Sequence, residues 1–390
     1  NLQQAFDLID GEQGPDEQRQ SIDERLALFT DGAGFDRYNL SFGEFFGEEP
    51  QAFIDAVDLT YEVLLEQQPD AEMMTVIHVG NYEDLQVEYR GQTLQYYFLT
   101  QFADDAIVPW VHSVMYYNLF EDAGGAYLHD ECDDHRQFLL DRLAAGEPVG
   151  YFPESAYWCA FDSPVPTYLP LYVRSRFTDM DEIRAAGGGL EEHVLFSSGW
   201  EWGYWLNDYA TLRMNYSLDE GWEGYVEDVY DPWGSDGAAL AEQVIALTDL
   251  QHEYLLEGRL AGYLAGRDAV MDMGYAMGIV SQPQRTTLEE LAGMDQAGRA
   301  AFEVQVVQPL AELSEATWGI DAEVHALASS SSDRWFDEVA DGVRIDALRT
   351  DFAHALYSAA LAFAATGSDD GWLAVADTTL DSARGVVDAR

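Results

Sequence analysis

Two periodicities alternate along the first 230 or so residues. "PDEQRQSIDERLALF" sets Ile22, Leu26 and Phe29 at helical spacing behind Pro15, and "PQAFIDAVDLTYEVLLEQQP" does the same with Phe53, Val57, Tyr61 and Leu64. Between such stretches come short β-branched or continuously apolar runs bounded by turn residues: "YNLSFGEFF", "EMMTVIHVGNYEDL", "AIVPWVHSVMYYNLFED", "PVGYFPES" and "EEHVLFSSG". Three more helical patterns follow the later runs. They are "DDHRQFLLDRLAAGE", closed by Gly146, "TYLPLYVRSRFTDMDEIRAAGGG", with Leu169, Val173, Phe177 and Met180 in step, and "WGYWLNDYATLRMNY". Strands that alternate with helices, and are apolar throughout rather than at every second position, predict a parallel sheet with helices around it. At least five β–α units are visible. A full eight-fold barrel takes ~250 residues, so a barrel here is expected to be compact, irregular or incomplete.

After "DPWGSDG" the strand signals fade, and residues 238–390 read as successive helices, with "ASSSSD" (Ala328 to Asp333) as a loop or linker. The expected architecture is α/β: a (β/α)-barrel-like domain over residues 1–235, followed by an α-helical domain over 236–390.

Composition changes this picture mainly through charge. Asp and Glu number 72 against 19 Arg and no Lys, a formal net charge of −53. Self-repulsion at that density costs stability in dilute buffer and is screened by salt. A saline setting or export into bulk medium is therefore expected: extracellular or cell surface, with the cytoplasm of a halophile as the alternative. Nucleic-acid affinity comes largely from cationic side chains that displace counterions, so nucleic acid is not an expected partner, and neither is anionic lipid. No apolar run reaches the ~18 residues of a membrane span. Cys132 and Cys159 are the only two cysteines, and whether they pair stays open.

Several predicted strands end in an acid or amide: Glu44, then Asn81, Glu83 and Asp84, then Glu121 and Asp122, Glu154, and Glu201. In barrels and open α/β sheets substrates sit beyond the carboxyl ends of the strands. Paired carboxylates there suit glycoside hydrolysis, one donating a proton and the other acting as nucleophile, base or charge stabiliser. Aromatic neighbours raise the pKa of such an acid and offer flat faces to sugar rings. "SSGWEWGYWLNDY" concentrates those aromatics. Glu154 and Glu201 are accordingly the candidate catalytic pair, with Asn81, Trp158, Trp200, Trp202, Trp205 and Asp208 as candidate substrate-binding residues. Against this, acids are abundant enough to follow strands by chance. Trp205, Tyr209, Leu212 and Tyr216 also repeat at the spacing of a helix packed on its neighbours.

"HDECDDH" offers His129, Cys132 and His135 as zinc-type ligands at steps of three. Asp133 and Asp134 read better as the start of the following helix, so no metal is the primary expectation. Arg174 and Arg176 suit internal ion pairs. No GxSxG elbow, phosphate-cradling glycine loop or HExxH motif is present, and no cofactor is expected.

With "VGYFPESAYW" and "GWEWGYWLNDYATLRMNYSLDEGWEGYVEDVYDPWG" in view, residues 73–229 resemble the barrel domains of bacterial glycoside hydrolases. The alpha-glucuronidase-like and hexosaminidase-like groups, in which a barrel precedes a helical domain, are the nearest in kind. The resemblance implies a barrel fold, a carbohydrate or glycan as partner, and an acid at the end of the "VGYFPE" strand. The adjacent paired acids of the hexosaminidases are missing. The alternative is a non-catalytic structural or binding surface protein, a filament or accessory subunit on a barrel scaffold, and a homo-oligomer fits either reading.

Overall fold

The computed structural model describes residues 14–32, 34–40, 49–79, 85–114, 119–121, 132–154, 167–187, 189–195, 202–264 and 285–367. The chain divides into two compact units, each drawn from several stretches. The first comprises Asn1–Ser113, Asp133–Pro153 and Ile183–Val194; the second comprises Val114–Cys132, Glu154–Glu182 and Leu195–Arg390.

Helix α1 (Pro15–Thr30) and helix α2 (Pro50–Gln67) both start on proline, whose fixed φ suits the first helical position. The Glu49 carboxylate accepts from Gln51 N at 3.0 Å and Ala52 N at 3.1 Å, satisfying two orphan donors at the positive end of α2. Strands β1 (Arg37–Leu40), β2 (Glu72–Ile77), β5 (Val108–Val114), β6 (Gly150–Glu154) and β7 (Glu192–His193) form one parallel sheet in that order. Between β2 and β5 lies a separate hairpin of β3 (Gln86–Tyr89) and β4 (Gln92–Gln95). Its two-residue turn uses Arg90 and Gly91, both at positive φ. Helix α3 (Asp133–Ala145) precedes β6 and stops at Gly146, where φ is +70°.

Strand order follows chain order without reversal, as in β/α barrels rather than doubly wound sheets. Both faces of β2 are buried. Met73 packs with Ile22 and Leu26 of α1 and with Phe53, Val57 and Leu64 of α2, whereas Met74 and Val76 pack with Trp110, Phe152 and Val194. Trp110 lies so close to Gly150 that a Cβ there would sit 2.3 Å from its ring. The sheet also curls. Flat, five strands would hold the edges about 19 Å apart, yet Arg37 on edge strand β1 pairs with Glu192 on edge strand β7, with Glu191 at 3.7 Å and with Glu72 at 2.8 Å. The expected α/β sheet is therefore present as a half-barrel of five strands among the described residues. A full eight-stranded barrel is not what they form, and of the run "EEHVLFSSG", which continues outside the described residues, β7 covers Glu192–His193.

The second unit is helical. Its described helices are α4 (Leu171–Ala185, which runs on into the first unit), α5 (Tyr204–Met214), α6 (Gly221–Tyr230), α7 (Gly234–Gln251), α8 (Ala261–Leu264), α9 (Leu288–Gly293), α10 (Gln296–Phe302), α11 (Gln308–Ser330) and α12 (Arg334–Thr366). A π-helical turn, His252–Glu257, continues α7, and another, Glu303–Val307, joins α10 to α11. "ASSSSD" is only in part a loop: α11 continues through Ser330, whose hydroxyl bonds back to the Leu327 carbonyl, and Asp333 then caps α12 by accepting from Trp335 N at 3.0 Å.

Helices α11 and α12 bury Leu310, Leu313 and Val324 with Phe336, Val339, Val343 and Ala347, and Arg344 forks onto Asp321 at 2.7 and 2.6 Å. The segment before α4 is tied to this bundle by side chains that fully use their donors and acceptors. Asp346 accepts from Tyr168 N (2.9 Å) and Gln251 Nε2 (3.1 Å), and Gln251 Oε1 accepts from Leu171 N (3.2 Å). Burial holds the Asp346 carboxyl well above the usual carboxylate range.

Candidate functional site

In the first unit, the carboxyl ends of β2 and β5 carry imidazoles where apolar residues would continue the runs. His78 follows β2 and its ring meets His112 of β5 at 4.8 Å between centroids; His112 in turn stacks on Phe152 of β6 at 5.0 Å and 24°. His135, in the first turn of α3, donates through Nε2 to the His78 carbonyl at 2.9 Å and packs edge-on against Phe98. Burial lowers the His135 pKa to about 4, and the neighbouring His112 and His78 push the same way against the opposing Asp134 and the His78 carbonyl. At neutral pH this ring is an uncharged donor. On the other face of the sheet the Ser113 and Tyr151 hydroxyls bond at 2.9 Å and Tyr151 stacks on His193.

Glu121 and Glu154, the predicted strand-end acids among the described residues, belong to the second unit. Glu154 closes β6 and is only 9% exposed. Its carbonyl accepts from Arg176 Nη2 at 3.1 Å, and the Arg176 guanidinium lies 3.7 Å from Asp179, one turn along α4. Asp179, wholly buried, accepts from the main-chain N–H groups of Leu119 and Phe120 at 2.9 and 3.3 Å. The next residue, Glu121, meets His252 Nε2 at 3.3 Å. A buried ion pair on α4 thus fixes the main chain beside two of the predicted strand-end acids. Such a pair holds geometry more than it adds stability, because desolvation offsets most of the attraction.

The remaining predicted residues fall as follows. Trp202 forms an isolated bridge with Tyr168, donates from Nε1 to the Glu338 carbonyl at 2.6 Å and lies against Gly342 of α12. Trp205 packs on Trp335 at 4.2 Å and on Tyr230 at 6.4 Å, in a cluster that Trp233 and Phe336 complete. Asp208 is half-buried on α5. The aromatic stretch therefore contributes, through Trp202 and Trp205, to the packing of the helical unit. Cys132 is buried directly before α3, which begins at Asp133 with Asp134 beside it, and His135 bonds to the His78 carbonyl. Among the described residues no three His, Cys, Asp or Glu side chains are grouped to hold a metal ion. Glu201, Asn81, Trp158, Trp200 and His129 lie outside the described residues, as do Glu44, Glu83, Asp84, Asp122 and Cys159.

Sequence reading passed over His78, His112 and His252. The first two carried a signal, since a histidine interrupts the apolar runs "TVIHVG" and "PWVHSV". His252 carried none, as 131 residues separate it from its partner.

Comparison with protein-family models, with curated proteins and with solved structures gives no match to this chain. No helix among the described residues is long and apolar enough to cross a membrane.

Proposed function

We propose that this is a carbohydrate-active protein of glycoside-hydrolase type, built on a (β/α)-barrel-like scaffold and using carboxylates at the carboxyl ends of the parallel strands. The observation that carries this reading is Glu154: an acid at the last position of a strand in a sequentially ordered parallel sheet, 9% exposed, with its main chain held by a buried arginine. A surface acid in so acidic a chain has no need of such an anchor. Partial burial suits a carboxyl that must carry a proton to a leaving oxygen, and Glu201 is its proposed partner. The glycan is the proposed ligand.

The test is hydrolysis of a panel of aryl glycosides and soluble polysaccharides in molar salt by the wild type, Glu154→Gln and Glu201→Gln. Activity in the wild type with a loss of about 100-fold or more in each variant supports the assignment. Full activity in Glu154→Gln overturns it. The second reading, a non-catalytic binding or structural protein, draws on Trp202 and Trp205, which pack within the helical unit. It expects an inactive wild type and, in light scattering, an open polymer rather than a discrete monomer or dimer.

A further inference from the structure

Helix α7 does not end cleanly but widens into the π-helical turn His252–Glu257. Such turns are rare, cost hydrogen-bond geometry and recur at functional sites. Here the widening has a specific consequence. In a π-turn residues five apart come to one side, and His252 and Glu257 are five apart, with Nδ1 3.5 Å from the Glu257 carboxylate. The opposite ring nitrogen, Nε2, meets the Glu121 carboxylate at 3.3 Å. The imidazole is thus flanked by an acid on each side, and exposure is graded along the row. Glu121 is 28% exposed, the His252 side chain 6% and Glu257 66%.

We infer that Glu121, His252 and Glu257 form a proton relay that serves the carboxylate site, with Glu121 as its reacting end and Glu257 as its outlet to solvent. This rests on the glycoside-hydrolase reading above and adds to it a group and a route. A proton held by Glu121 passes to His252 Nε2 along their hydrogen bond while Nδ1 hands its own proton to the neighbouring Glu257 carboxylate, and the reverse transfer recharges Glu121; each step moves one proton between adjacent groups and needs no other reactant.

The main chain explains why Glu121 belongs with Glu154. The N–H groups of Leu119 and Phe120 bond to Asp179, and the carbonyl of Glu154 bonds to Arg176. These anchors are three residues apart on α4, about 4.5 Å along its axis. Neighbouring positions of one helix thus hold the main chain at both acids. Arg176 and Asp179 are positioning residues in this scheme, and Glu121 is the group that meets substrate.

The test compares wild type, Glu121→Gln, His252→Gln, Glu257→Gln and the Glu121→Gln/His252→Gln double variant, all in molar salt. On a glycoside that the wild type hydrolyses, Glu121→Gln is expected to lose about 100-fold in kcat. His252→Gln and Glu257→Gln are expected to lose less, with one limb of the pH–rate profile displaced in each. If Glu154→Gln is inactive while Glu121→Gln and His252→Gln keep wild-type rates and pH profiles, the relay is wrong and the glycosidase reading stands. If the wild type hydrolyses nothing, that reading fails and takes the catalytic role of the relay with it. The pair itself is decided without any substrate. In thermal unfolding the double variant is expected to lose no more Tm than the worse single variant, whereas fully additive losses would show that Glu121 and His252 do not interact.

Discussion

His135 provides the sharpest test of the geometry in the first unit. Its ring is buried, its Nε2 donates to the His78 carbonyl, and its pKa is lowered to about 4 chiefly by burial. In the unfolded chain the same imidazole has its ordinary value of about 6.5. Between those values the unfolded state binds a proton that the folded state refuses, so stability must fall as pH falls across that window. The contribution is complete above pH ~6.5 and gone below pH ~4. A gap of about 2.5 units at 1.36 kcal/mol each is ~3 kcal/mol, or roughly a 300-fold change in the opening equilibrium. Amide hydrogen exchange of peptides from β2 and α3, corrected for intrinsic rate, reads that equilibrium locally, which matters in a chain of two units where a single unfolding transition is not assured. Protection in the wild type is expected to drop about 100-fold between pH 7 and pH 4, where the folded ring is itself half protonated, relative to His135→Gln, which keeps a donor for the His78 carbonyl and does not titrate. The many surface acids titrate in both proteins and cancel in the difference. Parallel profiles would refute the reasoning and place His135 in contact with water.

Gly342→Ala in α12 sets helix propensity, which favours alanine by ~1 kcal/mol, against space. The new Cβ would lie 2.4 Å from Trp202 Cδ1 and 3.1 Å from Tyr168 Cβ. Overpacking of this kind costs ~1–3 kcal/mol, so a lower Tm is expected, and a raised one would mean the Trp202 contact is loose. Asp346→Ala leaves the Tyr168 N–H and a Gln251 amide proton buried without an acceptor, a loss of about 2–6 kcal/mol at ~1–3 per group, measured by urea unfolding of the second unit; a change below ~1 kcal/mol would mean water replaces the carboxylate. Raising NaCl from about 0.1 M to about 1 M shortens the Debye length from ~10 to ~3 Å. With a net charge of −53, Tm is expected to climb by many degrees over that range, and a flat or falling Tm would count against charge repulsion as the main destabilising term.

Local pattern made much of the fold legible. Pro15, Pro50, Gly146 and the apolar spacings of α1 and α2 mark elements through forces that act within a few residues. The curl of the sheet was hidden because it depends on Arg37 meeting Glu192, a contact across 155 positions that no periodicity records. The hairpin β3–β4 escaped because its turn is Arg-Gly rather than the commoner Asn-Gly or Asp-Gly, and Arg90 must itself take positive φ.

The site was harder for a different reason. In a chain with 72 acids, a carboxylate after a strand carries almost no information, and residue type alone cannot separate Glu154 from its many solvated neighbours. What separates it is cost. Arg176 is nearly fully buried and Asp179 wholly so, and burying two charges is expensive unless they are well paired. Replaced by apolar residues of similar volume, such a pair often leaves stability unchanged or improved, so the core does not require it. Its hydrogen bonds run to the main chain at Leu119, Phe120 and Glu154, which places the beneficiaries of that cost beside Glu121 and at Glu154 rather than in the core. In so acidic a protein the informative residue is therefore the buried arginine, and the acids worth testing are the ones whose backbone it and its partner hold.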